Sequence, residues 1–137
     1  MKVKDVMNSH ADVINCERTV REAAQMMASG NYGSIPVEKN DKMIGMITDR
    51  DITIRVVAEG LDPGATKVEQ CMSAGINYCF EEDDISVVAR KLISKKIRRI
   101  PVVNKDKRLV GMLSVSDIAN KAQNKNLTHD LVSSLSH

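Results

Sequence analysis

Two short stretches carry residues whose types and spacing could do chemistry. Thr48-Asp49-Arg50-Asp51 and Ser114-Val115-Ser116-Asp117 each set a hydroxyl three residues before a carboxylate. Both lie inside near-identical octets, GMITDRDI (Gly45–Ile52) and GMLSVSDI (Gly111–Ile118). A hydroxyl where a strand hands over to a helix stands beside free N–H groups, whose direction and dipole favour an anion. A carboxylate one turn later can accept from both hydroxyls of a ribose. Hydroxyl for phosphate and carboxylate for sugar suit a nucleoside phosphate. The same spacing is also a helix capping box, and on the residues alone capping is the commoner use. The two uses are compatible. Gly45 and Gly111 mark points where another backbone approaches the strand closely.

The octets recur because the chain is a tandem duplication. At an offset of 65, VKDVM (Val3–Met7) overlies VEQCM (Val68–Met72), and Ile35-Pro36-Val37 overlies Ile100-Pro101-Val102. One extra residue enters the second copy near Arg108, in a polar turn of the kind that accepts insertions. Each copy predicts the same elements. Thr19 with Glu22 forms a capping box for a helix stopping at Gly30, and Asp84 caps a helix whose inner face is Ile85, Val88, Ala89, Leu92 and Ile93. A β-hairpin follows, turning over Glu38–Lys42 in the first copy, with the proline expected at a strand start or edge. A second helix carries Asp51, Ile52, Ile54, Val56 and Val57 and ends at Gly60. The expected organisation is residues 1–60 as repeat one, 61–67 as a turn-rich linker, 68–122 as repeat two and 123–137 as a polar tail. In that tail Leu127, Leu131 and Leu135 share a helical stripe.

Composition removes several function classes. Lys+Arg 20 against Asp+Glu 18 gives a net charge of +2, and Tyr32, Tyr78 and Phe80 are the whole aromatic set. A nucleic-acid surface needs a basic field, and a single-strand binder needs stacking rings as well. No apolar run approaches a membrane span, and the N-terminus lacks a signal-peptide core, so a cytoplasmic protein is expected. Cys16, Cys71 and Cys79 form no C-x-x-C pair and read as free thiols, although Cys71 and Cys79 leave a metal- or redox-linked reading open. His10, His129 and His137 show no metal-ligand spacing. No phosphate loop, nucleophile elbow or Ser/His/Asp set is present, so neither an enzyme nor a resident metal is expected.

The order strand–helix–hairpin–helix, twice, with I-P-V opening each hairpin and G-M-[IL]-[TS]-x-x-D-I closing it, resembles the cystathionine β-synthase (CBS) domain. The pair resembles a Bateman module, and TDRDITIRVVAEGLDP is similar to small stand-alone CBS proteins of the hypoxic response group. The resemblance implies an α/β (α+β) fold, two β-α-β-β-α repeats packed with pseudo-two-fold symmetry, and a homodimer. It implies a regulatory module that senses an adenine nucleotide (AMP, ADP, ATP or an adenosyl derivative) in clefts between the repeats and signals to a protein effector. The alternative is a non-catalytic scaffold of the same fold. By analogy, residues just before each I-P-V line the clefts. One cleft would combine Arg99, Ser114 and Asp117 with Tyr32 and Gly33, and its arginine fork would bind phosphate. The other would combine Ser34, Thr48 and Asp51 with Ile97 and Arg98, with Arg50 as an added phosphate contact. The three arginines read equally well as a solvated basic rim. Asp12, Asn15, Asn77 and Tyr78 are further candidates at the cleft borders.

Overall fold

The computed structural model describes residues 1–121; the tail with Leu127, Leu131 and Leu135, and His129 and His137, lie outside them. Each repeat is built from the signals its sequence carries. In the first, the two-residue strand β1 (Ile14–Asn15) leads to α1 (Val20–Gly30), where Thr19 Oγ1 accepts from Glu22 N and the Glu22 carboxylate accepts from Thr19 N. Gly30 is the last helical residue; Asn31, at φ 55, turns the chain out. Asparagine tolerates this left-handed conformation because its short side chain can hydrogen-bond locally. Strands β2 (Ser34–Lys39) and β3 (Lys42–Thr48) then form an antiparallel hairpin around Asn40 and Asp41. Both have positive φ, as a two-residue turn matched to strand twist requires.

Pro36 sits inside β2, the middle strand of the order β1-β2-β3, rather than at its start. This is tolerated because β1 pairs only with Val37 and Glu38, so the ladder on that side ends before the proline. The second helix begins as α2 (Asp49–Ile52) and continues over Thr53–Val57 as a π-helical turn, with Ala58 N donating to Thr53 O at 2.9 Å. The wider turn changes which residues face inward. Of the expected apolar set only Val56 is fully buried, while Ile54 and Val57 are 45% and 67% exposed. The linker is tied down, with Val20 N donating to Thr66 O and Arg21 N to Pro63 O. It leads to the short α3 (Val68–Cys71).

The second repeat follows the same plan. Strand β4 (Cys79–Phe80) precedes α4 (Ile85–Lys95), capped by Asp84, which accepts from Ser86 N. Then come β5 (Arg99–Val103), β6 (Leu109–Ser114) and α5 (Val115–Lys121). The longer hairpin turn is organised by Asn104, whose Oδ1 accepts from the backbone N of Asp106 and Arg108. Each three-stranded sheet, with one parallel and one antiparallel pairing, packs its helices over its own aliphatic core.

The packed units are offset from the sequence repeat. One unit runs Asp12–Ile76; the other joins Met1–Ala11 to the chain from Asn77 onward. Each repeat's opening segment thus closes the other repeat's sheet. Asn8 pairs with Met112 and Ser73 with Met46, each through two backbone hydrogen bonds of 2.8–3.0 Å. Lys2 and Lys4 add ion pairs to Glu82 at 2.5 and 2.9 Å, which hold that exposed carboxylate down at about 2. This fastening is present above the ordinary carboxylate range and is lost as pH falls toward 2.

Cys16, Cys71 and Cys79 are free and buried. Burial pushes all three thiols up, Cys79 to about 12. An unfolded thiol titrates near 8.5, so the stability tied to a neutral Cys79 is complete below that pH and lost as pH rises from there through about 12. Melts between pH 8 and 10.5 are expected to fall more steeply for the native protein than for Cys79→Ala. Parallel curves would remove Cys79 from the alkaline transition.

Candidate functional site

The hairpin register places the predicted residues in matched positions. Ser34 lies directly across from Thr48 in the first sheet, and Arg99 directly across from Ser114 in the second. The residue before each pair supplies a carbonyl to the following helix: Gly33 O accepts from Asp49 N at 2.9 Å, and Arg98 O from Val115 N at 3.0 Å. A side chain on Gly33 would start 2.8 Å from the Asp49 carboxylate, so this position keeps the helix start close.

Both hydroxyl–carboxylate pairs are capping boxes. Thr48 Oγ1 accepts from Asp51 N at 3.0 Å while Asp51 Oδ2 accepts from Thr48 N at 2.9 Å. The second repeat has the same pair of bonds, Asp117 N to Ser114 Oγ at 3.1 Å and Ser114 N to Asp117 Oδ2 at 3.0 Å. The repeated glycines also have a structural cause. A Cβ on Gly45 would stand 2.7 Å from Ser73 O, and one on Gly111 2.6 Å from Asn8 O. The backbone that approaches there belongs to the chain itself.

Beyond the caps the two sites differ. Asp51 is buried, 8% exposed, and its second oxygen, Oδ1, accepts from Ser73 Oγ at 3.2 Å and lies 3.6 Å from Arg55 Nη1. Arg55 is itself anchored, Nη1 donating to Cys71 O at 2.9 Å and Met72 O at 3.1 Å. Asp117 is only partly buried, and no described residue donates to its Oδ1. Arg50, Arg98 and Arg99 are exposed, whereas Ile97 packs against the core of its unit.

Tyr32 packs on its own core and donates its hydroxyl to Asp12 at 2.5 Å. With Asp12, Asn15, Arg18, Glu22 and Met26 it lines a groove of about 730 Å³ beside α1. Asn15 donates to Glu38 at 2.8 Å. Tyr78 meets Phe80 edge-on and carries Lys107 over its face at 5.3 Å. Sequence reasoning missed Arg55 and Ser73. The Asp51-to-Arg55 spacing of four was a visible helix ion-pair signal. Among the described residues no group of three or more His, Cys, Asp or Glu could hold a metal, and no helix is long and apolar enough to cross a membrane.

The profile of the CBS domain matches residues 3–58 and again 68–124, covering both hairpins and both capping boxes. The chain belongs to the CBS domain family. Its CBS pair is 31% identical over 135 residues to the CBS domain-containing protein YhcV of Bacillus subtilis, spanning 98% of this chain and 95% of that one. Among solved CBS structures, hypoxic response protein I, determined with two coordinated zinc ions, is 31% identical. It matches at a TM-score of 0.77 over 88% of this chain and 98% of that one. The CBS domain pair of protein MJ0100, in complex with 5′-methylthioadenosine and S-adenosyl-L-methionine, is 25% identical. Its TM-score is 0.72, over 88% of this chain and 94% of that one.

Proposed function

We propose that this CBS pair is a regulatory module that binds an adenine nucleotide or adenosyl compound and, as a homodimer, passes occupancy to a protein effector. The observation that carries the reading is the register pair Arg99–Ser114 with Asp117 one turn on. An exposed guanidinium, a hydroxyl and a carboxylate with one oxygen unused offer a fork for phosphate and an acceptor for a ribose hydroxyl. The adenosyl compounds held by the MJ0100 pair support the ligand class. Exposed Ile54 and Val57 offer an apolar face to a second copy. Signalling requires the ligand to bind one conformation better than another, since equal binding shifts nothing.

A thermal-shift panel with AMP, ADP, ATP, S-adenosylmethionine and NAD tests the reading, with sedimentation reporting the dimer. A compound at about 100 times its dissociation constant adds roughly 2.7 kcal/mol. At this chain length that raises Tm by roughly 10 °C. Arg99→Ala is expected to weaken AMP about ten- to a hundred-fold, the loss of a charge-assisted contact, while adenosine is nearly unaffected. A flat panel on nucleotide-free protein would favour the scaffold reading. Equal weakening of AMP and adenosine would remove Arg99 from the phosphate.

A further inference from the structure

The duplication supplies two carboxylates at equivalent positions, yet their surroundings are not equivalent. Both oxygens of Asp51 are engaged within the fold. Its Oδ2 takes Thr48 N at 2.9 Å, and its Oδ1 takes Ser73 Oγ at 3.2 Å beside the Arg55 guanidinium at 3.6 Å. The groups that close Oδ1 are themselves fixed. Ser73 is bridged to β3 through Met46, its N donating at 2.8 Å and its O accepting at 3.0 Å. Arg55 spans Cys71 O, Met72 O and Ser73 Oγ at 2.9, 3.1 and 3.4 Å. A ribose hydroxyl reaching Asp51 Oδ1 would compete with the Ser73 hydroxyl there, at a carboxylate already buried.

In the unit that holds Asp117, Asn8 stands where Ser73 stands in the unit of Asp51, and its Oδ1 accepts from His10 N at 2.9 Å, within its own turn. The Asp117 carboxylate accepts from Ser114 N through Oδ2, and no described residue donates to its Oδ1. Asp117 therefore keeps an acceptor oxygen that Asp51 has committed.

We infer that Arg55 and Ser73 latch Asp51 into the fold, so that the chain takes one adenosyl-type ligand, through Asp117, and not two. This rests on the function proposed above and adds its stoichiometry and the residues that set it. Arg55 is a positioning residue: it acts through Asp51.

The test uses the full chain and two isosteric variants, Asp51→Asn and Asp117→Asn, titrated calorimetrically with AMP and, separately, with S-adenosylmethionine. One ligand per native chain is expected. Asp117→Asn should weaken it at least ten-fold, and Asp51→Asn should leave affinity within about two-fold and stoichiometry at one, in line with the contacts each loses. Two ligands per chain, or equal weakening by both variants, overturns the inference. Ligand-free melts decide the latch independently. Asp51→Asn should lower Tm by roughly 5 °C more than Asp117→Asn. Asp51→Asn and Arg55→Met should be less than additive when combined, as partners in one contact are. Equal Tm losses, or full additivity, overturn the latch. Absence of binding with unequal Tm losses refutes the nucleotide reading and the role of Asp117 while upholding the latch on Asp51.

Discussion

Gly111→Ala is expected to destabilise the protein by about 3 kcal/mol, the sum of an overpacked contact and weakened bridge hydrogen bonds. At this size that is a fall in Tm of roughly 10 °C. The added methyl would stand 2.6 Å from Asn8 O and 2.9 Å from Met7 Sδ. Met7 can swing aside, but the Asn8 carbonyl cannot, because Asn8 and Met112 exchange two backbone hydrogen bonds of 2.9 Å. Relief therefore requires the opening segment of the chain to lift from β6. Gly45→Ala should behave alike, with its methyl 2.7 Å from Ser73 O, and should loosen the Asp51 latch as well. Gly64→Ala is the control, since its methyl meets only Asp62 Oδ1, at 3.5 Å. The comparison is made by thermal or urea unfolding. A Gly111→Ala protein melting within about 2 °C of the native one would mean that the segment gives way at little cost.

The same glycines show how far the sequence could be read. A small residue repeated at equivalent places predicts a close approach, and that approach is present; what approaches was not visible. Asn8 and Met112 are far apart in sequence, and their bridge follows from the units being offset from the repeats. Local chemistry was legible wherever it was self-contained. Thr19 with Glu22, Asp84 with Ser86 N and the Asn40-Asp41 turn each depend on residues within a few positions. The helix stops were harder. Asn31 and Lys96 both take φ 55, and a lysine there carries no sequence signal because nothing in its side chain favours the left-handed region. The π-helical turn at Thr53–Val57, where Ile54 and Val57 are exposed and Val56 is buried, likewise has no signature in the spacing of the apolar residues. At the candidate site, Ser34 opposite Thr48 and Arg99 opposite Ser114 depend on a register shift at Val37/Glu38 and at Val102/Val103, which the sequence does not announce. Ser73 lies 22 residues from Asp51 and meets it only because its backbone is bridged to β3. The difference between the two carboxylates is therefore a tertiary property of a nearly symmetric sequence.

That near-symmetry makes a quantitative prediction for the cores. At the repeat offset of 65, Leu92 on α4 corresponds to Met27 on α1, and both face the interior of their own unit, at 0% and 8% exposure. Leu92 packs among Val88, Ile100 and Leu113 in a cluster without an aromatic residue, so no large ring can settle into a void beside it. Leu92→Ala is expected to cost about 3–4 kcal/mol, the transfer of the lost methyl groups plus the cavity they leave. Leu92→Met should cost under about 1.5 kcal/mol, because volume is nearly kept and a flexible thioether fills irregular space. The first repeat already uses methionine at this place under the same helix-on-sheet geometry. Denaturant unfolding of the two variants measures the difference. With an unchanged m-value, a Leu92→Met cost close to that of Leu92→Ala would mean that the second core is shaped for a branched side chain. Exchange at this position would then be forbidden even though the duplication put both residues there, and each core would have specialised as the two carboxylates have.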